Sequence, residues 1–291
     1  MQTFDALLPP EMAKKAELTG AQKVNRDWLT LLVLAVLAGA FIALGAMFAT
    51  TVLAGADGHL PFGVSRLLAG SVFCLGLILV IVGGAELFTG DTLIVMAWAA
   101  GEVRLRDMMR VWVLVYAGNF IGAVSTAMLV FLSEQHLSGD GEVTKVALAL
   151  ARAKTSLPFM QAFFLGILCN VLVCLAVWLS FSARTLTDKV LAIIFPVSAF
   201  VAAGFEHSVA NMYIVPLGLF ITAWSAPDLW AQIGTDPSHY GSLTWSRFLL
   251  GLVPVTLGNI IGGAGLVGAV YWFIYLRPVP KRTRTRRGRV K

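Results

Sequence analysis

The sequence predicts an all-α membrane protein of six transmembrane helices, arranged as an inverted 3+3 repeat whose second and fifth helices are broken. Three observations lead there. The chain is 58% hydrophobic and 13% charged, with a mean hydropathy of +0.80, whereas soluble domains run at roughly 45–50% apolar and about 25% charged. Long runs carry no Asp, Glu, Lys or Arg, and about 20 such residues cross a bilayer as a helix. Two motifs also recur in the two halves. Gly84-Ala85-Glu86 is matched by Gly204-Phe205-Glu206, and Gly118-Asn119-Phe120-Ile121-Gly122 by Gly258-Asn259-Ile260-Ile261-Gly262. This composition excludes soluble enzymes, disulfide scaffolds and disordered chains.

Residues 1–27 carry Asp5, Pro9, Pro10, Glu11, Lys14 and Lys15 where a signal peptide needs an apolar stretch, so they are expected to form a cytoplasmic N-terminal segment. Pro9 and Pro10 can open a short helix that Gly20 can close, with Met12, Ala13 and Ala16 on one side; a disordered leader is the alternative reading. The six-span domain is expected over 28–276. Residues 28–53, 111–133, 157–180 and 248–276 read as uninterrupted crossings. The second crossing, 62–101, is interrupted at Glu86 and Asp91, and the fifth, 188–222, at Glu206 and His207, each beside glycine. The cysteines Cys74, Cys169 and Cys174 lie in apolar runs and read as packing residues. Residues 277–291 are a basic tail holding eight of the 22 Lys and Arg.

That tail makes the formal charge of +6 a local feature and argues against nucleic acid as a partner. With six crossings, 17 of the 22 basic residues fall on the side of the termini. Arg66, Lys145, Arg152, Lys154 and Arg247 fall on the other. The positive-inside rule therefore puts both termini in the cytoplasm. The tail is expected either to meet anionic lipid or to serve only as a topology signal.

Irregular backbone at membrane depth is tolerated only where protein buries it or water lines it, so the segments 84–92 and 204–211 are candidate pore loops. Glu86 and Glu206 have two readings: carboxylates that accept hydrogen bonds from their own loops, or groups facing a water-filled path. His207 is the one histidine within a span, and its type titrates near neutral pH. Other signatures fail on context. Gly263-Ala264-Gly265-Leu266-Val267-Gly268 spells a dinucleotide fingerprint but lies in an apolar helix, where close packing explains it better. The pairs Gly118/Gly122 and Gly258/Gly262 read as small-residue packing seams. Nothing points to a metal or cofactor. A membrane-embedded enzyme using Glu86, Asp91 and His207 lacks an evident nucleophile, and a water or glycerol channel lacks paired Asn-Pro-Ala loops.

Gly84-Ala85-Glu86-Leu87-Phe88-Thr89, Cys169-Asn170 leading to Val173-Cys174-Leu175-Ala176-Val177-Trp178, Gly204 to Met212, and Gly258 to Gly263 closely resemble the formate/nitrite transporter family. Phe4-Asp5, Leu7-Leu8-Pro9, Pro61-Phe62-Gly63 and Tyr275-Leu276-Arg277 resemble its formate channels in particular. The resemblance implies an aquaporin-like protomer, a homopentamer in the bacterial cytoplasmic membrane, and a pore for a small monovalent anion, formate first. It implies a central polar pair, Thr89 and His207, with Asn170 and Glu206 orienting the histidine and Lys154 lending positive potential at the outer vestibule. Leu87, Phe88, Phe73 and Phe200 would form apolar constrictions. Gly90-Asp91-Thr92 and Ala153-Lys154-Thr155 depart from the formate pattern and keep nitrite or hydrosulfide open as cargo. Passage as the anion or, with a proton from His207, as the neutral acid also stays open, as does pH gating by the N-terminal segment.

Overall fold

The computed structural model describes residues 5–278, which are helical with no strand among them. Phe4 and the basic tail beyond Pro278, expected to touch anionic lipid, lie outside the described residues. Five helical stretches are long and apolar enough to cross a membrane: α2 (Trp28–Leu53), α3 (Phe62–Gly83), α6 (Leu105–Leu132), α8 (Phe159–Ser182) and the continuous stretch ending at Tyr275. The last consists of α12 (Trp245–Ile260), a π-helical segment (Ile261–Ala269) and α13 (Val270–Tyr275). The wider π turn, in a crossing expected to be uninterrupted, brings Gly263 against Thr92, Asn170 and Cys174, where a side chain would collide.

The two expected breaks are present. Helix α3 stops at Gly84, whose φ of 82° favours glycine. After an extended Leu87 the chain resumes in α4 (Phe88–Asp91), a 3₁₀ turn (Thr92–Ile94) and α5 (Val95–Ala99). Helix α9 (Leu186–Ala202) ends the same way before Gly204, φ 73°, and α10 (Ser208–Trp224) starts after an extended His207.

Glycines set the closest helix contacts. Gly118 and Gly122 of α6 press on α2 at Ala35 and Val36, and Gly258 and Gly262 of α12 press on α8 at Phe163 and Ile167. At each a Cβ would run into the neighbouring helix, so these pairs let backbones approach closely. The three cysteines are buried and free.

Two elements depart from expectation. Helix α1 (Pro9–Val24) does not end at Gly20 but runs through it, and Gly20 instead serves close packing on Ile94 and Ala97, where a Cβ would be tight at 3.2–3.3 Å. The outer stretch after α6 contains α7 (Glu142–Thr155), an amphipathic helix that buries Val143, Ala147, Leu148 and Ala151 against α10. A shorter helix, α11 (Pro227–Ile233), follows α10.

Candidate functional site

Two cavities open at opposite ends of α3. One, about 220 Å³, is lined by Gly20 and Lys23 of α1, by Arg26, and by Val80, Glu86 and Leu87. The other, about 70 Å³, lies beside α7 and is lined by Arg66, Phe73, Lys154, Phe200 and His207. Arg66 and Ile81 mark the two ends, 15 residues apart on one helix, which at 1.5 Å per residue is about 22 Å. Between the cavities Ile42, Phe73, Leu77, Leu87, Phe200 and His207 close on a waist that leaves no room for a water molecule.

At this waist the two broken loops meet. Thr89 Oγ1 lies 3.0 Å from His207 Nε2, and both side chains are buried. His207 Nδ1 accepts the backbone N–H of Ala210 at 3.1 Å, which caps α10. A nitrogen that accepts carries no proton, so the ring in this geometry is the neutral Nε2–H tautomer and donates to Thr89. The threonine hydroxyl keeps its own proton for another acceptor. Phe200 stacks on the imidazole at 5.9 Å between centroids and meets Phe73 edge-on at 5.7 Å.

The loops are held by amides reaching from neighbouring helices. Asn119 accepts from Phe88 N at 2.9 Å and donates to Glu86 O and Ala35 O. Asn259 accepts from Ser208 N at 3.0 Å and donates to Glu206 O and Gly166 O. Asn170 sits between Thr89 O, Thr92 Oγ1 and Asn259 O, the last at 2.6 Å, and so ties the first broken segment to α12. The broken loops thereby satisfy backbone groups that would otherwise be orphaned away from water.

The carboxylates of both breaks are ion-paired. Glu86 meets Arg26 and, at 2.6 Å, Lys23. Lys23 also meets Asp91 at 2.5 Å. Burial alone would lower the ammonium pKa of Lys23, but Asp91 and Glu86 together raise it above its ordinary value. Helix α1 is tied down further by Lys15 Nζ on Phe181 O and by Arg110 on Val24 O, each at 2.9 Å. On the other side, Glu206 receives Lys154 Nζ at 2.5 Å and Asn211 Nδ2 at 2.8 Å.

This placement corrects several expectations. Thr89 and His207 do meet. Asn170 and Glu206 make no direct hydrogen bond to the imidazole; their polar atoms are engaged by the loop backbone, by Lys154 and by Asn211. Leu87, Phe73 and Phe200 face the waist, but Phe88 does not: its ring turns away to pack edge-on against Tyr116 at 4.9 Å and Trp112 at 6.3 Å. Lys154 lines the cavity but its charge is engaged by Glu206. Among the described residues, no group of three His, Cys, Asp or Glu side chains is placed to hold a metal ion.

The profile described as "Formate/nitrite transporter" matches residues 10–273. The chain belongs to the formate/nitrite transporter family. Among its relatives, the formate channel FocA of Escherichia coli (strain K12) is 44% identical over 275 residues, covering 94% of this chain and 96% of that one. The formate channel FocA of Haemophilus influenzae is 42% identical over 264 residues, 90% and 93% of the two chains. A solved structure described as a pentameric formate channel with formate bound superposes with a TM-score of 0.82 at 43% identity, covering 86% of this chain and 98% of its own. A second, an FNT family ion channel, gives 0.79 at 32% identity and covers 92% and 99%. The chain is therefore a membrane transport protein and not an enzyme.

In this formate/nitrite transporter the supports of the site are less visible in sequence than its centre. Lys23, Arg26, Asn119 and Asn259 hold the loops, yet only the two asparagines left a trace, in the recurring Gly-Asn-x-Ile-Gly motif. The period of Val143, Ala147, Leu148 and Ala151 announces α7 and, with it, the delivery of Lys154.

Proposed function

We propose that this chain is one protomer of a homopentameric channel in a bacterial cytoplasmic membrane, passing small monovalent anions with formate as the preferred cargo. The observation that carries this reading is the buried Thr89–His207 pair at 3.0 Å, set at an apolar waist between two polar-mouthed cavities. The named formate channels and the pentameric neighbour support the cargo and the assembly.

The chemistry follows from the donors. An anion reaching the waist meets the Thr89 hydroxyl, whose oxygen already accepts from His207. The segments starting at Phe88 and Ser208 both begin there, with the positive ends of their dipoles at the pair. Phe73, Phe200 and Leu87 make a bare charge costly and slow anything that cannot use these donors. A proton gained at Nδ1 would displace the Ala210 N–H bond and leave an imidazolium at the waist. In this reading that event links flux to pH, either by charge attraction or by handing the proton to formate so that it crosses as the neutral acid.

The finer architecture belongs to the same reading. Three crossings per half, related by an inverted repeat, are supported by the matching roles of Asn119 and Asn259. Glu86 N bonding to Leu34 O and Glu206 N to Leu165 O add to this. With both termini cytoplasmic, α1 lies over the cytoplasmic mouth, where its contacts through Gly20 and Lys23 suit a gate. The basic tail then meets the anionic leaflet beside it.

The test is flux into proteoliposomes of formate, nitrite, hydrosulfide and lactate, with wild type and His207→Phe. Formate should move fastest and the variant should stop it while the oligomer stays intact. Wild-type-like formate flux in the variant defeats the pore assignment, and faster nitrite flux defeats the cargo.

A further inference from the structure

The charged side chains lining the cavity beside α7 are Arg66 and Lys154, and their situations differ. Lys154 is in contact with Glu206 at 2.5 Å, and the carboxylate's side chain is 2% exposed. A cation neutralised at contact contributes a dipole at a distance, not a net charge. Among the described residues, the hydrogen-bond acceptors of Arg66 are two carbonyls: Nη2 donates to Val201 O at 2.9 Å and Nε to Ala202 O at 3.2 Å. These close the last turn of α9, and a helix end carries about half an elementary charge. About half of the guanidinium's positive charge is therefore left over.

Its geometry is fixed as well. The two carbonyls use two of five N–H donors, leaving Nη1 and one N–H of Nη2 for a ligand. Phe62 lies 6.0 Å from the guanidinium carbon. Gly204 has a positive φ, and a Cβ there would come within 3.1 Å of Nη2, so the turn that breaks the fifth crossing also makes room for Arg66. The opposite cavity has no such surplus, because Lys23 and Arg26 are matched by Glu86 and Asp91.

We infer that Arg66 is the anion-capture site of the mouth beside α7, taking small planar monocarboxylates on its free N–H edge. Lys154 serves instead to hold Glu206. The inference rests on the proposed channel function and adds to it an asymmetry: anions are gathered at the α7 mouth and not at the α1 mouth.

Formate currents in planar bilayers at equal and opposite voltages test it. At low ionic strength wild type should rectify in favour of entry from the α7 mouth, and salt on that side alone should remove the rectification by screening. Arg66→Gln should abolish rectification and raise the half-saturating formate concentration at that mouth about fivefold, a modest electrostatic steering effect. Arg66→Lys should keep most of both, and Arg66→Met serves as the neutral variant if Gln does not assemble. A wild type that conducts without salt-sensitive rectification overturns the inference whatever the variants do. So does a neutral variant that rectifies like wild type, or a Lys variant as impaired as Gln, which would make the role structural. A wild type that conducts no formate defeats the channel function, and the inference with it.

Discussion

Asn119 and Asn259 make the same three hydrogen bonds: each amide oxygen accepts the N–H that opens a half-helix, and each amide nitrogen donates to the carbonyl of a loop glutamate and to a carbonyl of the facing helix. The Gly-Asn-x-Ile-Gly motif is thus two devices in one. Its glycines bring the helix close, and its asparagine stitches the broken loop that this closeness exposes.

Replacing either asparagine by leucine strands one N–H and one loop carbonyl where water is absent, since the carbonyl of the facing helix keeps its bond within that helix. Each variant should lose roughly 2–4 kcal/mol, since an unsatisfied buried polar group costs about 1–3 kcal/mol and partial relaxation recovers some of the total. Thermal unfolding in detergent reads this directly. Similar losses at the two positions are expected from their identical bonding, and a loss at one alone would show the devices to be inequivalent.

At the waist, Thr89→Ala removes the hydroxyl proposed to meet an incoming anion but leaves the imidazole N–H. His207→Phe removes the ring's donor and the cap on α10. Formate flux should fall in both and be abolished only in the histidine variant. Equal loss in the two would mean that the hydroxyl is as necessary to conduction as the imidazole.

How much of this was legible in the sequence depends on range. The breaks were readable because Gly84-Ala85-Glu86 and Gly204-Phe205-Glu206 put glycine and a carboxylate inside apolar runs, a local conflict with any unbroken helix. Contacts between distant segments were not readable. Nothing in the apolar character of Phe88 tells which side of the half-helix faces Trp112 and Tyr116. Nothing in Lys154 reveals that Glu206, 52 residues away, takes its charge. Gly20 reads as a stop signal because its packing against Ile94 and Ala97 exists only once α1 has docked.

Docking of α1 rests on Lys23, which bridges Asp91 and Glu86. Its pKa is raised above the ordinary 10.5, since the two carboxylates outweigh the effect of burial. A raised pKa contributes stability that is fully present below the unfolded value and is lost only as pH rises through the higher folded value. Deprotonation of Lys23 therefore cannot release α1 anywhere below about pH 10. Trypsin cleavage after Lys14 and Lys15 should stay slow from neutral pH up to about pH 9 in wild type and become fast in Lys23→Gln. Rapid cleavage of wild type on raising the pH within that window would show that another group holds the helix.

The pair Lys154–Glu206 allows a sharper test, because its two partners are buried to different degrees, with side chains 16% and 2% exposed. Lys154→Met strands the Glu206 carboxylate with Asn211 as its remaining side-chain donor. Removing one partner of a buried pair typically costs about 3–5 kcal/mol, while replacing both can be close to neutral. The single variant should therefore unfold markedly earlier, and the double variant Lys154→Met with Glu206→Gln should recover most of the loss, since glutamine can still accept from Asn211. If Lys154 instead acts chiefly as a free charge in the mouth, the single variant should keep wild-type thermal stability and lose only anion affinity. A coupling energy near zero in the double-mutant cycle would likewise mean that the two side chains act independently. Recovery of stability in the double variant would place Lys154 in the framework of the second loop, leaving Arg66, only half offset by the end of α9, as the cation with charge to spare at that mouth.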